Sequence, residues 1–340
     1  MIDVGLVGYG FAGQVFHAPV IQATSGIRLA AVVRRSGEPD THYPEVQFVR
    51  SLDELLAIDS IRLVVVATTN TSHYEIARQC LQAGRDVVVD KPFTTTLAEA
   101  QGLVQFAEKQ KRMLTVYQNR RWDSGSKTVQ QIIREGRLGR VVQFESNFDR
   151  FRPELRAGAW REKAEPGAGV FFDLGPHLID QALALFGTPE AITGDVRIER
   201  EGAVVDDAFS VVLHYSRMRA VLRASMLAVS PAPTYYIRGT SGTFVKYGVD
   251  PQEESLKQGG SPADQGWGTE PPAQWGKIVN PGGEQPVPTL AGDYRGFYEN
   301  VRDTLLGVTD SAVTTQQALD VMKALELVLE SSRKRSTLKW

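Results

Sequence analysis

The sequence predicts two domains of different construction. Residues 1–122 read as a doubly wound α/β domain, and residues 123–340 as an α+β domain with a large open, mainly antiparallel sheet. Three observations carry that prediction. Short Val- and Ile-rich runs alternate with helical stretches over the first 120 residues. The turn Gly8-Tyr9-Gly10-Phe11-Ala12-Gly13 follows the first of these runs. After Trp122 the apolar runs succeed one another without helices between them.

Taken in order, the runs Ile2–Val7, Arg28–Val33, Leu63–Ala67, Asp86–Val89 and Met113–Tyr117 are nearly continuous in apolar character. Such runs suit strands covered on both faces, as in a parallel sheet. Helices between them are announced by capping boxes at Ser51–Glu54, Ser72–Glu75 and Thr96–Glu99, and Gly84 marks a helix end. Strand, helix and strand at this spacing predict a Rossmann-type sheet. In the second domain a helix over 124–135 leads to a strand at Val141–Asp149, and a second helix is expected over 173–186. Strands follow at Ala191–Glu199, Ala208–Tyr215, Ala220–Val229, Tyr235–Gly239 and Thr243–Tyr247. Residues 251–292 hold fifteen Gly and Pro and are expected as a long loop, docked on the body through Trp267 and Trp275. Helices over 293–306 and 316–333 close the chain.

Composition narrows the function classes. With 38 Lys and Arg against 40 Asp and Glu the net charge is −2, without the basic excess of a nucleic-acid binder. A single cysteine, Cys80, rules out an internal disulfide and a Cys-rich zinc site, and reads as a small core residue. His17, His42, His73 and His214 show no metal-ligand spacing, so no metal is expected. Apolar runs of about five residues fall far short of the ~20 a membrane span needs, and no signal sequence opens the chain, so a cytoplasmic location is expected. Asp206-Asp207 reads as a solvated turn.

The glycine turn carries the first functional expectation. Gly8 permits the tight turn, Gly10 lets backbone approach a pyrophosphate and Gly13 allows close packing of the following helix; Phe11 and Ala12 complete that loop. The helix start adds free N–H groups for phosphate. About 20 residues on, where an NAD site usually presents a carboxylate, the chain has Arg34-Arg35-Ser36. Guanidinium and hydroxyl groups there favour the 2′-phosphate of NADP. The bland alternative is a pair of solvated surface arginines.

Two further clusters point to catalysis. Asp90-Lys91-Pro92 ends the fourth strand, where ligands of open α/β sheets bind, and an ammonium there can anchor a substrate oxygen. Asp173 and His177 stand four apart and share a helix face, so the carboxylate can orient an imidazole acting as base. Either cluster alone also reads as a surface turn or an ordinary helical pair. His73, near the cofactor-side loop, is a candidate cofactor contact, with helix capping as the simpler reading.

Together Gly8–Gly13, Asp90-Lys91-Pro92 and Asp173-x-x-x-His177 resemble the Gfo/Idh/MocA oxidoreductases. The stretches Gly8–Pro19, Val116–Asp123, Trp160–Lys163 and Phe244–Gly248 are similar to the branch of NADP-dependent scyllo-inositol dehydrogenases. The resemblance implies a catalytic role for Lys91, Asp173 and His177, and a cofactor-side role for Asp90, standing where the family usually has Glu. It also implies that Thr68, Thr69 and Asn70 line the cofactor and that Asn119 and Arg121 lie near the nicotinamide and substrate. A homodimer or homotetramer joined through the open sheet is implied as well. The resulting expectation is reversible, NADP-dependent oxidation of a secondary hydroxyl of a cyclic polyol, scyllo-inositol to scyllo-inosose. The alternatives are a dehydrogenase of another sugar or aldose, and a non-catalytic NADP-sensing regulator.

Overall fold

The computed structural model describes residues 1–156 and 162–340; Trp160 and Arg161, half of the Trp160–Lys163 stretch, lie outside the described residues. The chain forms two compact units. The first comprises Met1–Trp122, Gln252–Trp267 and Asp293–Leu319, and the second comprises Asp123–Pro251, Gly268–Gly292 and Asp320–Trp340.

The first unit is built on β1 (Ile2–Val7), β2 (Ile27–Val33), β3 (Gln47–Val49), β4 (Ile61–Val66), β5 (Asp86–Val89) and β6 (Leu114–Val116). All pair in parallel, in the order β3-β2-β1-β4-β5-β6. Every residue of β1 and β5 is buried, as the continuous apolar runs require. The three-residue β3 lies below the length at which a periodic signal can be read. A π-helical turn, Gly13–His17, follows the glycine loop and runs into α1 (Ala18–Gln22). After it come α2 (Leu52–Leu56), α3 (His73–Gln82) and α4 (Leu97–Gln110).

The Thr96–Glu99 capping box is present in full, and the Ser51 hydroxyl accepts from the Glu54 N–H. The box expected at Ser72 does not form. Its hydroxyl donates instead to Thr68 Oγ1 and the Thr69 carbonyl, within a short 3₁₀ turn at Asn70–Ser72. Cys80 is fully buried, and burial pushes its thiol up to about 12, consistent with an inert core residue.

The second unit contains α5 (Ser124–Arg134), β7 (Val141–Asn147), α6 (Gly169–Phe186), β8 (Ala191–Arg197), β9 (Ala208–His214), β10 (Arg219–Ser225), β11 (Tyr235–Gly239) and β12 (Thr243–Lys246). Residues 251–292 are not one long loop. They hold α7 (Gln252–Lys257), which belongs to the first unit, and the hairpin β13 (Gly276–Asn280) and β14 (Gly283–Val287) of the second. The Gly and Pro density that reads as a loop serves the hairpin's turn and its edge. Pro286 sits on β14, an edge strand, where a missing N–H is tolerated. Trp267 donates to Gln252 Oε1 and Trp275 to the Glu270 carbonyl, so both tryptophans brace residues within 251–292.

The last helices are α8 (Arg295–Leu305) and α9 (Thr315–Lys334), and the chain ends in β15 (Leu338–Lys339). The sheet of nine strands runs β14-β13-β12-β11-β7-β10-β9-β8-β15. Every pairing in it is antiparallel except β7 with β10. Along β9 and β10 buried Phe209, Val211, Leu213, Ala220, Leu222 and Ala224 alternate with more exposed residues, and α6 packs on these two strands.

Asp206-Asp207 corrects the expectation of a solvated turn. Asp207 is fully buried; its carboxylate accepts from the N–H groups of Glu199 and Arg200 and from Arg200 Nε at 2.9 Å. The Arg200 guanidinium, also buried, pairs on its other side with Glu162 at 2.9 Å. Breaking a buried pair from one side typically costs about 3–5 kcal/mol, because the remaining charge and donors lose their partner. Asp207→Ala is therefore expected to lower unfolding stability by about 3 kcal/mol, Glu162 retaining part of the guanidinium's compensation. Chemical denaturation followed by far-UV circular dichroism measures it.

Candidate active site

In the first unit, the predicted nucleotide residues lie on the segments that follow the carboxyl ends of β1, β2, β4 and β5, in a sheet whose order reverses between β1 and β4. Gly8 has φ +102°, and a Cβ there would meet the Ala67 carbonyl oxygen at 2.4 Å. A Cβ on Gly13 would stand 2.1 Å from the Gly8 carbonyl oxygen. At Gly10 the same construction meets nothing within 4 Å. The turn is thus closed on its protein side and open at Gly10, which fits a phosphate group approaching bare backbone. Phe11, half exposed, packs edge-on against Phe16.

At the end of β2, the Arg34 guanidinium lies over the ring of Tyr9 at 5.6 Å and its Nε donates to the Ser36 carbonyl. Arg35 and Ser36 are exposed. The Tyr9 hydroxyl donates to Asp40 at 2.7 Å, so the glycine loop is fastened to the loop that carries the arginines. Sequence spacing gave no hint of this latch, since Tyr9 and Asp40 lie 31 residues apart.

At the end of β4, Thr68 is half-buried, Thr69 exposed and Asn70 buried. His73 follows, fully buried, and does not cap its helix. Its Nδ1 faces the Pro92 carbonyl at 2.9 Å and its Nε2 the Thr68 carbonyl at 3.2 Å, which ties the end of β4 to the turn after Lys91. Burial pushes the imidazole pKa down, against the charge of Asp90 and those carbonyls. A neutral ring donates to one of the two carbonyls at a time.

At the end of β5, the Lys91–Pro92 peptide bond is cis. Asp90 Oδ1 accepts from the Lys91 N–H at 2.7 Å, and Oδ2 faces His17 Nε2 at 3.6 Å. Burial pushes the Asp90 carboxyl up, but His17, Lys91 and His73 outweigh it and the group lies below the usual carboxylate range. Asn119 is buried on a 3₁₀ turn after β6. Arg121 on the same turn donates from Nη1 to the Ala312 carbonyl at 2.5 Å and to Gln317 at 3.1 Å.

In the second unit, Asp173 and His177 lie on α6, which starts at Gly169, four residues before the expected helix. Being four apart on continuous helix, they share a face; Asp173 is half-buried and His177 buried. Pro176 has no N–H for the Phe172 carbonyl, so the helix lacks one rung just before His177. The start of α6 is fixed from another strand connection. Asp206 Oδ1 accepts from the Phe171 N–H at 2.5 Å, and the Asp206 carbonyl accepts from Val170 at 2.9 Å. Burial pushes the Asp206 carboxyl up to about 6 against that donor. Gly169 has φ +88°, and a Cβ there would fall 2.1 Å from Asp206 Oδ2, so only glycine fits. Sequence reasoning missed Asp206 because its partners are 35 residues away. Among the described residues no group of three or more His, Cys, Asp or Glu could hold a metal, and no helix is long and apolar enough to cross a membrane.

Residues 2–118 match the model of an oxidoreductase family with an NAD-binding Rossmann fold, and residues 126–245 match that of the GFO/IDH/MocA C-terminal domain. The chain is 42% identical to the uncharacterized oxidoreductase YdgJ of Escherichia coli, covering 99% of this chain and 98% of that protein. It is 34% identical to the scyllo-inositol 2-dehydrogenase (NADP(+)) IolW of Bacillus subtilis, covering 99% and 95%. The crystal structure of an oxidoreductase from Bacillus cereus superposes with a TM-score of 0.91 at 32% identity, covering 100% of this chain and 99% of that one.

The two glycines separate binding from folding. Gly10→Ala, with open space at its Cβ, is expected to keep the wild-type melting temperature and lose at least tenfold in nucleotide affinity. Gly13→Ala is expected to lower the melting temperature itself, because the Gly8 carbonyl must move. Thermal melts paired with NADPH fluorescence titrations measure both.

Proposed function

Because the chain belongs to the Gfo/Idh/MocA oxidoreductase family, we propose that it is an NADP-dependent dehydrogenase of cyclic polyols, oxidising a secondary hydroxyl of scyllo-inositol to the ketone, reversibly. The observation that carries the choice of nucleotide is the end of β2, where Arg34 is braced on Tyr9 beside exposed Arg35 and Ser36. Two guanidinium groups and a hydroxyl there complement a 2′-phosphate dianion. The substrate reading is supported by similarity over the full chain to an enzyme that bears that name.

Gly8, Gly10, Phe11, Ala12 and Gly13 would hold the pyrophosphate, Thr68, Thr69, Asn70 and Asp90 the nicotinamide half, and Arg34, Arg35 and Ser36 the adenosine phosphate. When bound, the nicotinamide supplies the hydride acceptor. In the proposed roles His177 takes the proton of the reacting hydroxyl, and Asp173 orients the imidazole and stabilises its protonated form. The Lys91 ammonium anchors the reacting oxygen and offsets the negative charge that grows there as the proton leaves. Asn119 and Arg121 complete the proposed substrate side.

Two measurements test this reading. Initial rates over a panel of inositol stereoisomers and aldoses, with NADP and with NAD, are expected to show turnover of a cyclic polyol and a kcat/KM at least tenfold higher with NADP. Equal values for the two nucleotides reject the arginine assignment. Tight NADPH binding without turnover of any substrate favours the sensing regulator. His177→Ala is expected to lower kcat by roughly 10²–10⁴-fold, the usual contribution of general acid–base catalysis, while nucleotide affinity stays within about twofold.

A further inference from the structure

We propose that His17 is a positioning residue for the Lys91 turn: backed by Tyr298, it directs its Nε2–H at Asp90 and so holds that carboxylate, ionised, against the lysine's own amide. The proposal rests on reading Lys91 as the group that anchors the reacting oxygen. All four residues belong to the first unit.

His17 is the last residue of the π turn after the glycine loop and has no exposed surface. Its ring packs on Tyr117, just after β6, at 4.3 Å, and its Nδ1 lies 2.6 Å from the hydroxyl of Tyr298 on α8. On the other side Nε2 stands 3.6 Å from Asp90 Oδ2 and makes no hydrogen bond. A buried polar nitrogen left in this state calls for an explanation.

Chemistry fixes the tautomer. The Tyr298 phenol, fully buried, is pushed well above its usual range and keeps its proton, so it can donate to Nδ1. An ionised carboxylate only accepts. A ring that carries a proton on Nε2 is therefore the form that suits Asp90, whereas a proton on Nδ1 alone would turn a nitrogen lone pair toward the carboxylate. The direction of donation then runs Tyr298 to His17 to Asp90, while Asp90 also accepts from the Lys91 N–H at 2.7 Å.

The groups that face Asp90 are His17 from the π turn, Lys91 on its own segment and His73 from α3, with the Tyr298 hydroxyl behind His17. A donor aimed at the carboxylate favours its charged form. Removing the donor raises the pH at which Asp90 ionises, and an ionised Asp90 is what braces the turn. The acid limb of the kcat profile should then move to higher pH.

The variants are His17→Gln, whose amide N–H reaches about where Nε2 lies, and His17→Met, of similar size without a donor. In nucleotide-free protein the Asp90 carboxyl is titrated by 13C NMR, assigned with Asp90→Asn. His17→Met is expected to raise the Asp90 midpoint by about one pH unit, and to lower kcat by about 10- to 100-fold through a displaced lysine. The acid limb should follow the midpoint, the affinity for NADPH should stay within twofold, and His17→Gln should recover most of both changes. Should His17→Met fail to fold, Tyr298→Phe and His17→Gln carry the same comparison, with a smaller rise expected for Tyr298→Phe. An Asp90 midpoint that is the same in wild type and His17→Met overturns the proposal, as does a shifted midpoint with kcat unchanged. If the wild type turns over no polyol, the proposed function fails on its own, and the carboxyl titration still decides the role of His17.

Discussion

The close approach of backbone to backbone at the end of β1 is the constraint on which the rest of the first unit depends. Gly8 lies against the carbonyl of Ala67, and Gly13 against the carbonyl of Gly8, both at separations that exclude any side chain. That contact lets the π turn sit directly on the strand ends, and the parallel order then brings the ends of β2, β4 and β5 alongside. Arg34, Thr68 and Lys91 are distant in sequence, yet each stands just past a strand end of this one sheet.

Around this frame the polar groups of the interior orient functional segments more than they add stability. A buried ion pair roughly offsets its own desolvation cost, so its clearest physical consequence is a fixed geometry. Arg200, Asp207 and Glu162 hold the segment beside Asp206, and Asp206 in turn holds the first turn of α6. Lys246 and Glu270, both almost wholly buried, do the same for β12, with the Ser124 hydroxyl at the start of α5 donating to the second carboxylate oxygen. In the first unit, Glu253 pairs with Arg120 and Lys257; burial pushes its carboxyl up, but the two cations hold it down at about 2.

The catalytic candidates inherit their order from such supports. His73 carries no chemistry of its own in the proposed reaction, yet it joins the cofactor-side loop to the turn that presents Lys91. Asp206 stands in the same relation to Asp173 and His177, through the N–H of Phe171. Preorganisation of this sort lowers the cost of aligning reacting groups, because the backbone that carries them is already fixed.

What the sequence determined alone was whatever depends on residues near one another in the chain. The parallel strands were legible because burial on both faces forces continuous apolar runs, and the glycine turn because a tight, close-packed bend excludes other residues. The i,i+4 pair on α6 follows from helical geometry, although the helix start at Gly169 does not, since its first-turn N–H groups donate to Asp206. The hairpin within 251–292 was hidden because β13 is held by pairing with β12, and β14 by pairing with β13, rather than by their own composition. Only tertiary structure could decide that Asp207 is buried, that Tyr9 reaches Asp40, and that His17, 73 residues before Asp90, shares its pocket. Desolvation and hydrogen-bond partners arise when distant segments close on one another, and local pattern in the sequence holds no record of that distance.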